Sequence, residues 1–203
     1  MTSSLDGFPR PAVAVDTAVL TVADGRLSVL LLPASDTFAK RLPGTFLHEG
    51  ETLEEAVLRS LSSKAGVRGL QPQQVKVFDD VNRDSRTRVL SVAFVDVVRS
   101  SALPADALVE PVDSVSGLAF DHDQIVAFAA EIVRESYVSA PDPRGLLAEP
   151  FTLRELREVH EAVSGERILP DTFRRTMLPG LEATGQFSSE GRGRPAEMYR
   201  RVG

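Results

Sequence analysis

The residues best placed to do chemistry lie within 42–67, where a glycine turn leads to a short acidic turn and then to a predicted helix. Ser60, Ser63 and Lys64 are spaced i, i+3 and i+4, so they share one face of that helix. A Mg²⁺ ion takes hard oxygen ligands, chiefly carboxylates, whereas this face offers two hydroxyls and an ammonium. Lys64 would repel a divalent cation at contact distance and attract a phosphate. The pattern therefore favours a phosphate-bearing ligand over a metal ion.

Two other interpretations of this helix remain open. Ser63 and Lys64 could be ordinary exposed helix residues with no ligand. A relocated metal site could also be built from the carboxylates that the segment retains, which are Glu49, Glu51, Glu54 and Glu55.

A second cluster of charge lies in residues 79–88, which read DDVNRDSRTR. Arg83, Arg86 and Arg88 fall within six residues, just before a β-rich run. Guanidinium groups bind phosphate and carboxylate through paired N–H donors. The segment is therefore a candidate phosphate-binding loop, and a solvated hairpin loop is the alternative.

The C-terminal quarter is basic although the chain carries a net charge of −6. From Arg167 onward seven Arg face four acidic residues. Such a local excess indicates contact with a polyanion, although a chance fluctuation in a short segment would look the same. Phe173 and Met177 are spaced to dock inward from a short helix, which leaves Arg174 and Arg175 nearer its outer face, where arginine can bond to guanine or to phosphate.

Hydrophobic periodicity predicts the elements that position these residues. Strands are expected at residues 12–22, 27–32, 75–81, 89–98 and, more briefly, 114–120, with a hairpin turn at 23–25. The first helix spans 52–64, with a capping box from Thr52 to Glu55 and Gly66 at its C-terminal end. Asp121 is expected to cap a second helix that runs to about residue 138 and has His122 at its start.

A change of composition then predicts a second domain. Residues 139–150 carry three Pro and a Gly and are typical of a linker. Helices are expected at 152–163 and 171–178, with His160 on the surface. The segment 191–195, GRGRP, forms a hairpin tip before a final strand at 197–202. Arg192 and Arg194 in this tip suit a DNA minor groove. Short helices followed by a hairpin are the outline of a winged helix-turn-helix.

Residues 42–67 resemble the Nudix box, G-x5-E-x7-R-E-U-x-E-E-x-G-U, in which U is aliphatic. Glu51, Arg59 and Gly66 fall on the pattern, as do Leu61 and Val67. Thr45 replaces its first Gly, and Ser60, Ser63 and Lys64 replace its three catalytic-site glutamates. Nudix enzymes hydrolyse nucleoside diphosphate derivatives with Mg²⁺. The resemblance thus implies a Nudix α/β/α sandwich whose metal site has been lost.

The stretches NRDSRTRVLSVAF, FTLRELREVHEAV, TFRR and GRGRPAEMYR are similar to those of the NrtR-type Nudix-related transcriptional regulators. This resemblance implies an α/β fold, with a mixed-sheet Nudix sandwich at 1–140, a linker at 141–150 and a winged helix-turn-helix domain at 151–203. It further implies a homodimeric repressor of NAD-metabolism genes that binds a palindromic operator. The sensed ligand would be ADP-ribose or a related dinucleotide, held without hydrolysis. Thr45 departs from the family's glycine, and its Cβ would hinder the close approach of a phosphate.

On this basis two sets of site residues are expected, with no catalytic residue, metal ligand or cofactor. The DNA-binding set is Arg174, Arg175, Arg192 and Arg194. The effector-binding set is Lys40, Gly44, Thr45, Glu49, Lys64, Arg83, Arg86 and Arg88.

Composition excludes several other classes. The chain has no Cys, which rules out disulfides and thiolate metal sites. It shows neither a signal-peptide pattern nor an apolar run near the roughly 20 residues of a membrane span, so a cytoplasmic protein is expected. Two competing functions remain open: a Nudix pyrophosphohydrolase with an atypical metal site, and an interaction module whose basic tail binds another protein.

Overall fold

The computed structural model describes residues 9–188 and 195–202. In the first part of the chain these residues form six strands, which are β1 (Ala12–Ala23), β2 (Arg26–Leu31), β3 (Gly44–Phe46), β4 (Gln73–Phe78), β5 (Val89–Val97) and β6 (Leu108–Pro111). They form one mixed sheet in the order β4-β5-β1-β2-β6, with β3 paired to β1. Strands β1 and β5 run parallel, and the other pairs are antiparallel.

Alternation along β1 explains why this sheet is covered on both faces. Val15 and Val19 point to one face, where they pack with Leu61 of helix α1 (Leu53–Lys64). Ala18 and Leu20 point to the other face, towards helix α2 (His122–Ser136). The predicted α/β/α sandwich with a mixed sheet is confirmed.

The predicted ends of α1 are confirmed in detail. The Thr52 hydroxyl accepts the Glu55 N–H, and the Glu55 carboxylate accepts the Thr52 N–H. Gly66 follows the helix with φ +67°, and the N–H of Val67 returns to the carbonyl of Leu61 at 3.1 Å. This left-handed glycine ends the helix and turns the chain back onto the sheet.

The C-terminal part is a small winged helix fold. Phe151, Leu156, Phe173, Met177 and Tyr199 make its own hydrophobic core. In chain order its elements are β7 (Phe151–Thr152), α3 (Leu153–Ser164), α4 (Pro170–Met177), β8 (Leu181–Phe187) and β9 (Glu197–Arg201). The strands form a sheet in the order β7-β9-β8.

The two parts share buried surface. Val159 and Val163 of α3 belong to the same hydrophobic cluster as Ile125 and Val133 of α2. The segment between the parts is also packed, because Asp142 is fully buried. The winged helix part is therefore built onto the sandwich.

Two sequence predictions are wrong. Residues 114–120 were expected to form a strand, but Gly117 has φ +69° and β2 already pairs with β6 (Leu108–Pro111), so Leu118 packs on the core without a ladder. His160 was expected on the surface, but it is 2% exposed and lies between the rings of Tyr137 and Phe173. None of the helices formed by the described residues has the length and apolar character of a membrane span.

Candidate functional site

A cavity of about 190 Å³ lies where the loop before β3, the loop before β5 and the start of α2 converge on β1. Its rim is largely aromatic and its floor is charged. The lining residues are Ala14, Asp16, Phe38, Arg41, Leu42, Gly44, Thr45, Phe46, Lys64, Arg83, Asp84, Arg86, Val89, Phe120 and His122.

Asp16 forms the floor of this cavity as a buried carboxylate. It accepts hydrogen bonds from Ser91 at 2.5 Å and from Arg83 at 3.4 Å, and the Nε2 of His122 lies 3.3 Å from its Oδ1. The Nδ1 of His122 accepts the N–H of Leu42 at 2.9 Å, which leaves the imidazole proton on Nε2, facing Asp16. Burial alone would raise the pKa of Asp16, but these hydrogen bonds and the charge of Arg83 lower it on balance, so Asp16 stays ionised.

Gly44 is required by the position of Asp16. The two residues face each other across the β1–β3 pair, and a Cβ built on Gly44 would lie 1.9 Å from the Asp16 Oδ1. The glycine turn therefore lets a charged floor and the β3 backbone occupy adjacent space.

Arg83 lines the cavity but is committed to internal partners. Its Nη2 and Nε bond to the two carboxylate oxygens of Asp121 at 2.6 and 3.0 Å, and its side chain is only 3% exposed. Burial lowers the pKa of Arg83, yet its bonds to Asp121 and Asp16 outweigh that and raise it. Asp121 was expected to cap α2. It stands at the N-cap position without a capping hydrogen bond, because its carboxylate is held by Arg83.

Arg86 is held in a similar way by Asp84. Its Nε and Nη2 bond to the two carboxylate oxygens at 2.9 and 2.6 Å. The guanidinium also lies 5.4–5.7 Å from the ring centres of Phe38, Phe46 and Phe120. Arg86 therefore belongs to the aromatic rim and carries a charge that Asp84 already neutralises.

Three residues of the expected effector set lie outside the cavity lining. Arg88 donates to the backbone carbonyls of Asp79 and Asp80, where it ties the loop together. Lys40 forms an ion pair with Glu110 at 2.7 Å. Glu49 is exposed in the turn before α1.

The Nudix-box frame is present, but its remaining carboxylate has a structural role. Glu51 forms a two-point ion pair with Arg59, whose guanidinium also reaches Thr45 and the carbonyl of Phe46. The hydrogen bonds from Arg59 and from the N–H of His48 lower the pKa of Glu51 to about 2. This pair holds the turn against β3.

The donor set on α1 does not fit a divalent metal. Ser60 is fully buried, and its Oγ has no hydrogen-bond partner among the residues that the structure describes. The Ser63 hydroxyl donates to the carbonyl of Arg59, and Lys64 brings a positive charge. Across residues 9–188 and 195–202, no three His, Cys, Asp or Glu side chains converge on a metal-sized space.

Arg41 is a cavity residue that the sequence analysis missed. It is half-buried, with one N–H directed to the carbonyl of Pro33 and its guanidinium 5.3 Å from the ring centre of Phe38. Its position just before the Leu42-Pro43-Gly44 turn could have signalled it, because β3 and its approach form a wall of the cavity.

The expected DNA-binding residues fall into two groups. Arg174 and Arg175 are exposed on α4, while Phe173 and Met177 are each 3% exposed, as their spacing predicted. Arg192 and Arg194 lie outside the described residues.

Two family models match the chain. The model described as "NUDIX domain" matches residues 10–138, and the model described as "NrtR DNA-binding winged helix domain" matches residues 143–201.

Three relatives illustrate the likeness. The NrtR of Shewanella oneidensis, crystallised in complex with a 27mer DNA, is 32% identical with a TM-score of 0.77, covering 94% of this chain and 93% of that one. Its NUDIX domain has also been solved with ADP ribose, at 29% identity and a TM-score of 0.55, over 64% of this chain and 94% of that domain. The "ADPR responsive transcriptional repressor NtrR" of Acinetobacter baylyi is 29% identical over 95% of this chain and 83% of its own length. The "ADP-ribose pyrophosphatase" of Methanocaldococcus jannaschii is 32% identical over 59% and 73%.

Proposed function

The chain belongs to the NrtR family, in which a Nudix domain precedes a DNA-binding winged helix domain, and on this premise we propose that it is a transcriptional repressor that responds to ADP-ribose or a related dinucleotide. The observation that carries the proposal is the likeness over 94% of the chain to a regulator solved on DNA. The domain limits we propose are 1–140, 141–150 and 151–203.

The cavity is the proposed effector site. Of the effector set expected from the sequence, Gly44, Thr45, Lys64, Arg83 and Arg86 line it. Phe38 and Phe120, with ring centres 5.5 Å apart, offer apolar faces for the rings of a dinucleotide. A thermal-shift panel of ADP-ribose, NAD and nucleotides tests this assignment. A ligand at a hundredfold excess over its Kd stabilises the native state by about 2.7 kcal/mol.

Helix α4 is the proposed DNA-reading element, and the segment 191–195 is the proposed wing. An arginine that bonds a base in the major groove contributes about 1–3 kcal/mol and reads one base pair, whereas a wing arginine on phosphate contributes to all sequences alike. We expect Arg174→Ala or Arg175→Ala to lower affinity for the operator more than for scrambled DNA.

Fluorescence anisotropy across a salt series measures this difference. Arg68→Ala is a matched control, because Arg68 is exposed beyond the end of α1 and far along the chain from α4. Equal binding by wild type, Arg174→Ala and Arg175→Ala would contradict the placement of recognition on α4.

The proposed assembly is a homodimer on a palindromic operator upstream of NAD-metabolism genes. Two winged domains held by one core would add their phosphate contacts and read half-sites about one or two helical turns apart. Light scattering of the protein, alone and on promoter DNA, tests both the dimer and its two-to-one stoichiometry.

We further propose that the protein does not hydrolyse its ligand. The likeness to the ADP-ribose pyrophosphatase of Methanocaldococcus jannaschii favours hydrolysis of ADP-ribose as a second candidate function. However, Ser60, Ser63 and Lys64 provide no carboxylate for a metal on α1. Purified protein with ADP-ribose and Mg²⁺ or Mn²⁺ should give no turnover. A rate of about 1 per second or faster would establish the hydrolase instead.

A further inference from the structure

The arginines of the loop before β5 have little capacity left for a ligand. Arg83 is paired with Asp121 and Asp16, and Arg86 is paired with Asp84. A guanidinium that is already bound bidentately to a carboxylate attracts an anion only weakly, because the pair has no net charge. The effector's negative charge must therefore be met elsewhere in the cavity.

Arg41 and Lys64 remain as the cavity-lining cations that make no carboxylate ion pair within the described part of the chain. Each has one hydrogen bond to a backbone carbonyl, that of Pro33 for Arg41 and that of Gly44 for Lys64, and each keeps further N–H donors. Burial lowers the pKa of Lys64, and the charges of Arg41 and Arg59 lower it further, while the charge of Asp16 opposes the shift. Two like charges are thus held close together without a counter-ion pair.

Asp16 is a negative charge that acts on Lys64, and it raises the pKa of that ammonium. Asp16 also lines the cavity, but its carboxylate already accepts hydrogen bonds from Ser91 and Arg83 and faces the Nε2 of His122. The arrangement leaves positive charge on the side of the cavity formed by α1 and the approach to β3.

We propose that Arg41 and Lys64 form a clamp that binds the pyrophosphate of the effector directly, without a divalent metal. Lys64 stands where the Nudix box has a metal-binding glutamate, so its ammonium supplies the positive charge that the metal would supply. Arg41 adds a second positive group from the loop before β3. This inference rests on the proposed function, because it assumes a dinucleotide effector in this cavity.

Isothermal titration with ADP-ribose tests the clamp, in buffer with EDTA and in buffer with millimolar Mg²⁺. We expect the same Kd in both buffers. Arg41→Ala and Lys64→Ala each remove a charged hydrogen bond to the ligand. Each change should therefore weaken binding by about tenfold to a hundredfold. Lys64→Arg keeps the charge and should bind more tightly than Lys64→Ala. Thermal midpoints of the free variants verify that they fold.

Matched controls lie outside the cavity. Lys76 is exposed on β4 and covers the rings of Phe78 and Phe128, and Arg68 is exposed beyond α1, so Lys76→Ala and Arg68→Ala should bind like wild type. If wild type binds but Arg41→Ala and Lys64→Ala bind equally well, the clamp is wrong and the sensing role stands. If wild type binds ADP-ribose only when Mg²⁺ is present, the clamp is again wrong and the sensing role stands. If the wild-type protein binds ADP-ribose neither with EDTA nor with Mg²⁺, both the sensing role and the clamp are overturned.

Discussion

The cavity beside α1 and the junction between the two parts of the chain are each built around a buried aspartate and an arginine, yet their charges are balanced differently. At the junction, Asp142 accepts the Tyr137 hydroxyl at 2.6 Å, accepts two backbone N–H groups at 2.8 Å and pairs with Arg201. In the cavity, Asp16 is similarly satisfied, but Arg41 and Lys64 beside it have no carboxylate partner among residues 9–188 and 195–202. A polar network whose members are all paired fixes a structure, whereas unpaired cations in a cavity indicate a ligand.

The junction network also joins elements that are far apart in sequence. Tyr137 follows α2, Arg201 ends the last strand, and the N–H of Asp142 points to the Nε2 of His160 on α3 at 3.4 Å. Burial and the charge of Asp142 raise the pKa of Tyr137, so its hydroxyl remains a donor. Together with the packing of Val159 and Val163 against α2, these bonds connect α2 to the winged helix part.

The largest expected effect comes from breaking the junction. Asp142→Ala removes a carboxylate that is 0% exposed, so the Tyr137 hydroxyl loses its acceptor and Arg201 keeps only its ion pair with the more exposed Glu149 among the described carboxylates. Breaking a buried pair from one side costs about 3–5 kcal/mol. Urea denaturation measures the loss. Asp113→Ala, which breaks an ion pair on a carboxylate that is 57% exposed, should cost less than about 1 kcal/mol. Similar losses in both variants would contradict the central role of Asp142.

His160 gives the junction a pH dependence. Burial lowers its pKa from 6.5 to about 4, with the charge of Asp142 opposing the shift. Between these values the unfolded chain binds a proton that the folded protein does not, so stability falls as the pH falls. Protonation of His160 in the unfolded chain lowers the free energy of unfolding by about 3 kcal/mol in total, and this loss is complete below pH ~4. The free energy of unfolding should therefore fall less steeply between pH 6.5 and 4 for His160→Gln than for wild type, and unfolding measured at several pH values tests this. Parallel curves for the two proteins would count against this origin.

A third prediction concerns the cavity floor. In Gly44→Ala the new Cβ would lie 1.9 Å from the Asp16 carboxylate and 2.9 Å from the carbonyl of Val15. Overpacking of this kind costs about 1–3 kcal/mol. The loss of unfolding free energy caused by Gly44→Ala should be smaller in a protein that also carries Asp16→Ala, because the carboxylate that the new Cβ would meet is then absent. A double-mutant cycle on the free energy of unfolding measures this coupling, and strict additivity of the two changes would refute it.

The smallest effect is expected outside the cavity. Lys40→Ala removes an ion pair with Glu110 in which both side chains are more than a quarter exposed, so it should change stability by less than about 1 kcal/mol. Because Lys40 does not line the cavity, its loss should leave the Kd for ADP-ribose unchanged. If Lys40→Ala clearly raises the Kd for ADP-ribose, Lys40 contributes to ligand binding after all.

Local patterns in the sequence predicted most strands, the capped α1 and the inward side of α4, because each depends on residues close together in the chain. The sandwich itself was implied by the resemblance to the Nudix box. Local patterns failed for contacts made across the fold. The periodicity of residues 153–163 reveals a buried face but not that His160 faces Tyr137, and the spacing of Arg83 and Arg86 does not reveal that Asp121 and Asp84 hold them. The position of Arg41 just before the Leu42-Pro43-Gly44 turn was a usable signal, but its place in the cavity lining follows from the folded arrangement of this segment.

The measurement that tests the whole account most directly is the affinity for promoter DNA from NAD-metabolism genes, with and without ADP-ribose. Fluorescence anisotropy gives both values, and chromatography of the same sample shows whether ADP-ribose survives. Coupling between two sites is typically 5–150-fold. We therefore predict a shift of about that size in the Kd for DNA, with ADP-ribose recovered intact. An unchanged Kd, or consumption of ADP-ribose during the titration, would contradict a sensor that binds its ligand without hydrolysing it.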